Sequence, residues 1–184
     1  KVSSYLVEVY MNTRSYDAAL KSIDRIAKPS AQILEAKQKI LFQLGTQSFA
    51  NADFEQALKY LNQSIAIGQY NRQTKADAYY WCGESYYRLN RMVEAARDFN
   101  AYLQLTTQPN NEMYALANYN LGYIAFHRKD YTQASNYFQK YIQLEKGENT
   151  TALADAYNRI GDCHLHVRNF EEAKHYYSQA EQMN

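Results

Sequence analysis

Residues 79–99 read YYWCGESYYRLNRMVEAARDF. Tyr79, Cys82, Gly83 and Tyr86 fall at the three- and four-residue spacings of one helix face. Ala95 follows Gly83 by 12 residues and Phe99 follows Ala95 by 4. Between them the polar pair Asn90-Arg91 predicts a turn. The stretch therefore predicts two antiparallel helices, A then B. The same figure recurs along the chain. Gly45, Gly83, Gly122 and Gly161 are separated by 38, 39 and 39 residues, and Ala57, Ala95, Ala134 and Ala173 trail them by 12 each time. A fixed period in this range signals a solenoid, one motif copied along a line. Such an array grows a long surface rather than a closed pocket.

The other copies align on the same positions. One carries Leu41, Leu44, Gly45, Ser48, Ala57 and Leu61; another carries Asn118, Leu121, Gly122, Ala125, Ala134 and Phe138. A further copy carries Tyr157, Ile160, Gly161, His164, Ala173 and Tyr177. A weaker first copy runs Ser3, Leu6, Val7, Tyr10, Ala19 and Ile23, closed by Pro29. Glycine on helix A predicts a close approach to helix B, with the alanine meeting it and the residue four later filling the remaining gap. Val7 in the glycine position predicts a wider first pair. Tyr16, Phe54, Met92, Tyr131 and Phe170 open each helix B after a short polar turn. These signals predict A helices over 2–12, 30–49, 72–89, 111–127 and 150–167. They predict B helices over 15–27, 53–67, 91–105, 130–145 and 169–182.

The pattern resembles the tetratricopeptide repeat (TPR), whose figure is W-x2-L-G-x2-Y, then A-x3-F, then P. The resemblance implies an all-α fold, an α-solenoid of about five helix-turn-helix repeats wound as a right-handed superhelix. It implies a single array over 1–184, with repeats over 1–29, 30–71, 72–109, 110–148 and 149–184. The period exceeds the usual length of about 34. The surplus falls between each B and the next A, at 68–71, 106–111 and 146–149. The runs from Ala76 and Ala152 are similar to units of large, many-repeat TPR proteins of bacterial cell envelopes. That similarity implies a piece of a longer protein in the periplasm or at the outer membrane, with the cytoplasm as the alternative. The apolar first A helix and the absence of a polar capping helix after the last B predict ends that seek cover, including by self-association. The chain begins with Lys1 rather than Met, which predicts loss of an upstream segment.

In the family, the inner wall is built from A helices at the second, fifth, ninth, twelfth and thirteenth repeat positions. On this sequence those positions are Lys39, Phe42, Thr46, Phe49 and Ala50, then Asp77, Tyr80, Glu84, Tyr87 and Arg88. They continue with Leu116, Tyr119, Tyr123, Phe126 and His127, then Asp155, Asn158, Asp162, Leu165 and His166. The resemblance thus implies a concave groove in which Tyr80, Tyr87, Tyr119, Tyr123 and Phe126 face one another. Glu84, Arg88, His127, Asp162 and His166 complete the expected partner-binding set. Exposed aromatics in a concave wall act as binding anchors. The expected partner is a protein or peptide segment with apolar side chains and some positive charge. The family's carboxylate clamp needs Lys at the fifth position and Asn at the ninth. Here those pairs read Phe42/Thr46, Tyr80/Glu84, Tyr119/Tyr123 and Asn158/Asp162, so that mode is absent. Two other functions fit a bare array: a structural spacer within an envelope protein, or a tyrosine groove stacking glycan rings.

Composition narrows the field. The net charge of +1 lacks the basic footprint of a nucleic-acid binder. No apolar run reaches a membrane span, so no direct insertion is expected. Cys82 and Cys163 lie in the A-helix packing region and read as buried thiols. No glycine-rich phosphate loop, nucleophile turn or Cys-His-Asn order is present, so no enzyme and no cofactor is expected. His127, Asp162 and His166 could approach one another in the groove, but aromatic stacking is the preferred reading of these histidines and no metal is assigned. His164 falls in the packing stripe and His175 on the surface. Trp81 fits either between repeats or at the groove rim.

Overall fold

The computed structural model describes residues 15–183. The expected helix over 2–12, the Val7 packing and the turn at 12–14 lie outside the described residues. The chain divides into two compact units, Lys1–Thr107 and Gln108–Asn184. The first holds α1 (Tyr16–Asp24), α2 (Ala31–Ala50), α3 (Phe54–Ile67), α4 (Arg72–Arg88) and α5 (Met92–Leu105). The second holds α6 (Glu112–His127), α7 (Tyr131–Leu144), α8 (Thr150–His166) and α9 (Phe170–Gln182). No strand occurs among the described residues, and the fold is an all-α solenoid. Within each unit every helix packs on the next in sequence, and α2 also touches α4, the following A helix. Nearest-neighbour packing of this kind is what defines a solenoid.

Helix starts follow from side chains that accept orphan backbone donors. Ser30 caps α2 through Ile33 N, Asp53 caps α3 through Gln56 N, and Asn71 caps α4 through Thr74 N. Asn111, Asp130 and Asn149 do the same for α6, α7 and α8. α1 ends earlier than the sequence predicts, at Asp24 rather than 27. Pro29 disfavours helical backbone in the residue before it, and Ile26 N already bonds Ile23 O in a tighter turn.

The A-to-B turns are one repeated device. Ala52, Asn90, Lys129 and Arg168 all have φ between 61 and 64°. The next amide, at Asp53, Arg91, Asp130 and Asn169, donates to the carbonyl five residues back, at 2.8–2.9 Å. That pairing closes each A helix with a Schellman cap. The repeat is therefore written in backbone dihedrals as well as in side chains. The B-to-A surplus forms a 3-10 turn at Gly68–Tyr70 in the first unit. There the fully buried Gln38 donates to Gly68 O at 3.3 Å and Asn71 O at 2.8 Å, tying the linker to α2.

The repeat glycines need correction in detail. A Cβ built on Gly45, Gly83, Gly122 or Gly161 would lie within 2.6–2.8 Å of Leu61, Phe99, Phe138 or Tyr177. The close partner is thus the residue four beyond the alanine, and the alanine only makes room beside it. Leu61, Phe99 and Phe138 are fully buried, so their side chains cannot yield. The residue opening each B helix meets the next hairpin where one follows in the same unit. Tyr131 stacks on His166 at 4.3 Å with an interplanar angle of 4°. Phe170, its counterpart on α9, is 59% exposed.

Candidate functional site

The predicted wall residues sit on α2 and α4 in the first unit and on α6 and α8 in the second. Their surroundings differ. Tyr80 is only 2% exposed. Its ring packs on Phe99 at 5.7 Å and Tyr102 at 5.4 Å, and its hydroxyl donates to Glu84 Oε2 at 2.7 Å. It is a core residue, which corrects the expectation of a groove anchor: a tyrosine at this register is long enough to lean over α5. Tyr87 remains half-buried, and burial followed by the nearby Glu84 raises its phenol above the usual value. Arg88 is exposed, but its guanidinium lies over Phe49 at 5.4 Å and Phe54 at 6.0 Å, a cation–π clasp onto the preceding hairpin. Trp81 packs edge-on against Phe49 at 5.0 Å. That decides its role in favour of packing between repeats.

In the second unit the tyrosines of α6 converge on one carboxylate of α8. Tyr119 donates to Asp155 Oδ2 at 2.5 Å, and Tyr123 donates to the same oxygen. Asp155 is four residues before Arg159, whose Nη1 reaches Asp162 Oδ2 at 3.3 Å. Asp162 Oδ1 in turn accepts from Tyr177 at 2.5 Å. Residues 155, 159 and 162 share a face of α8 by the four- and three-residue rule, so one helix holds a chain of alternating charge. Burial, then the bond to Asp155, pushes the Tyr119 and Tyr123 phenols well above their ordinary range. Tyr177 is pushed up to about 12 by burial and Asp162. These hydroxyls are neutral donors at physiological pH.

The rings are fixed as firmly as the hydroxyls. Tyr119 lies against Tyr141 at 4.9 Å and Phe138 at 5.9 Å. Tyr123 lies edge-on to Phe138 at 5.1 Å and stacks with His127 at 6.0 Å. Phe126 contacts Tyr131 and His166. Tyr119, Tyr123 and Phe126 stay half-buried, whereas His127 and His166 are exposed. The second unit therefore presents aromatic rings that are held in place yet reachable from solvent.

Sequence reasoning placed Asp155 on the wall but linked it to no tyrosine, and it overlooked Arg159. The four- and three-residue spacing of Asp155, Arg159 and Asp162 was the available signal. Their tyrosine partners were not readable, because they lie on other helices. His127, Asp162 and His166 do not gather: Asp162 is engaged by Tyr177 and Arg159, and both histidines stack on rings. No group of three metal-ligating side chains occurs among the described residues. Both cysteines are buried and free. Burial raises the Cys163 thiol to about 11 and the Cys82 thiol further, so neither is a ready thiolate. His164 is half-buried and stacks on Tyr176 with an interplanar angle of 4°, and His175 is exposed.

Tetratricopeptide-repeat family models match residues 42–112 and 113–184. No curated protein matches the chain. Among solved structures, BtubC (BKLC) from P. vanneervenii is 14% identical with a TM-score of 0.69, over 98% of this chain and 78% of that one. MamA from Desulfovibrio magneticus RS-1 is 15% identical with a TM-score of 0.63, over 100% and 93%. YrrB, described as a TPR protein with an unusual peptide-binding site, is 16% identical with a TM-score of 0.66, over 97% and 82%. The low identities carry the fold alone. Two consecutive matches cover all but the first 41 residues, and the chain belongs to the tetratricopeptide repeat family, a non-catalytic protein-interaction scaffold.

Proposed function

We propose that this scaffold holds a protein or peptide segment along its A-helix wall, with the α6 face of the second unit as the principal anchor. The observation that carries this reading is the fixing of Tyr119 and Tyr123 to Asp155 while their rings remain half-exposed. Preorganised aromatics give contact area at little entropic cost, which favours them as anchors. Phe126, His127 and His166 extend the same face, with Tyr87, Glu84 and Arg88 as the corresponding face of α4. YrrB's peptide-binding site supports the class of ligand. Part of the same proposal is that all five repeats run as one array in a bacterial envelope protein. No helix among the described residues is long and apolar enough to cross a membrane.

The test uses the immobilised chain to capture its partner from the native source, followed by affinity measurement on the captured protein. Both tyrosines touch Phe138, but Tyr119 also packs on the buried Tyr141 and is left in place. Tyr123→Ala with His127→Ala removes the outer rings. Loss of an anchor of about 2 kcal/mol or more is expected, roughly 30-fold in Kd. Lys140→Ala on α7, exposed and away from these residues, is the control. Unchanged affinity in a fully helical double variant would remove the assignment.

A further inference from the structure

The second unit contains an open cleft of about 620 Å³ between the N-terminal ends of α6 and α8 and the C-terminal end of α7. Its exposed apolar surface comes from Leu116 and Leu144, with the buried Ala115 and Tyr141 beneath them. Its rim carries Glu112, Glu145, Glu148 and Lys146. The cleft adjoins the aromatic wall. Leu116 precedes Tyr119 by one helical turn, and the Tyr141 ring lies 4.9 Å from that of Tyr119. Tyr141 is buried, and its hydroxyl donates to Glu145 Oε2 at 3.4 Å.

Charge selects the ligand class. Three carboxylates against one ammonium leave a formal balance of −2 in the rim. The helix ends add about +0.5 each from α6 and α8 and about −0.5 from α7, so the sum stays negative. One first-turn amide of α6 and one of α8 are also engaged. Asn111 Oδ1 accepts from Tyr114 N, and Asn149 Oδ1 accepts from Ala152 N. Glu145 Oε1 accepts from the amides of Glu148 and Asn149. An anion entering here would meet carboxylates where it needs donors. A cation on an apolar stem meets the opposite: a greasy floor for the stem and acceptors for the head.

We propose that this cleft is the subsite for a lysine or arginine side chain of the bound protein segment, its methylenes on Leu116 and Leu144 and its head among Glu112, Glu145 and Glu148. Long basic side chains favour this division, stem on apolar surface and charge at a polar rim. The inference rests on the wall reading, because the segment that lies on Tyr119 and Tyr123 is the one that delivers the side chain.

The test needs no partner. The full chain is followed by backbone-amide NMR during titration with Nα-acetyl-lysine-N-methylamide. The norleucine analogue supplies the stem without the charge, and inorganic phosphate supplies an anion. Saturable shifts at residues 111–116 and 145–151 are expected with the lysine compound, with binding about 10-fold weaker for the norleucine compound. Glu112→Gln with Glu148→Gln, both exposed positions, should abolish the difference between the two. Equal response to lysine and norleucine compounds overturns the proposal. So does a lysine response that survives the double variant, or a phosphate response at these amides in its place. If partner capture depends on Tyr123 but the lysine compound gives no response, the subsite fails alone. If capture ignores Tyr123 while the lysine compound binds, the wall reading fails and the cleft's ligand class stands.

Discussion

Gly122→Ala should destabilise the second unit, although alanine is the better helix former. The added Cβ would lie 2.8–2.9 Å from three atoms of the Phe138 ring. Ordinary carbon contacts begin at about 3.5 Å, so the ring must retreat by roughly 0.7 Å. It has no free direction, being 0% exposed and packed against Tyr119 and Tyr123. Overpacking of this kind costs about 1–3 kcal/mol, and alanine's helix propensity returns about 1 kcal/mol. A net loss of about 1 kcal/mol follows, a drop of about 0.5 M in the urea midpoint at an m-value of about 2 kcal/mol/M. The decisive comparison is Gly122→Ala in a Phe138→Val background, followed by circular dichroism in urea. With the ring gone only the propensity gain remains, and the sign should reverse to about 1 kcal/mol stabilising. Equal destabilisation in both backgrounds would refute the claim that this ring sits in the glycine's place.

Three further outcomes follow from the same geometry. Lys129→Gly should stabilise by about 0.5–1 kcal/mol in thermal melts, because an L side chain at φ 64° costs about 1–2 kcal/mol and glycine's unfolded-state entropy returns part of it. Stability should fall as pH rises above about 10. Tyr141 and Tyr177 keep their protons to about 12 in the folded state and lose them near 10 when unfolded, so the native state binds more protons in that window; urea midpoints from pH 9 to 12 check the slope, which Tyr177→Phe should flatten. Phe170→Ala should cost less than Tyr131→Ala in the same urea assay. The former is 59% exposed, and the latter gives up a stack at 4.3 Å.

Much of the fold was legible because the repeat uses local signals. The short polar turns before each B helix and the glycine-to-alanine spacing predict most observed helix boundaries to within one or two residues. Contacts between helices were less legible. Periodicity puts Tyr80 on the wall face but says nothing of how far its side chain leans, and Phe99 and Tyr102 draw it into the core. The spacing of Gly122, Ala134 and Phe138 marks a close crossing without revealing that Phe138, rather than Ala134, makes the close approach to the glycine. The Asp155–Arg159–Asp162 ladder lies within one helix and was readable in principle. Its meaning depends on hydroxyls from Tyr119, Tyr123 and Tyr177, which only hairpin packing brings near. Trp81 was undecided for the same reason: its partner Phe49 lies 32 residues away on the preceding A helix.

The claim that partners lie on the A-helix wall is most directly tested by site-specific photo-crosslinking in native cells. A photoreactive residue replaces His127 or Arg88 on the wall, or Lys140 or Lys174 on the B helices, all four being exposed. The account predicts a shared crosslinked partner from His127 and Arg88 and none from Lys140 and Lys174. Crosslinks from the B-helix positions alone would contradict it.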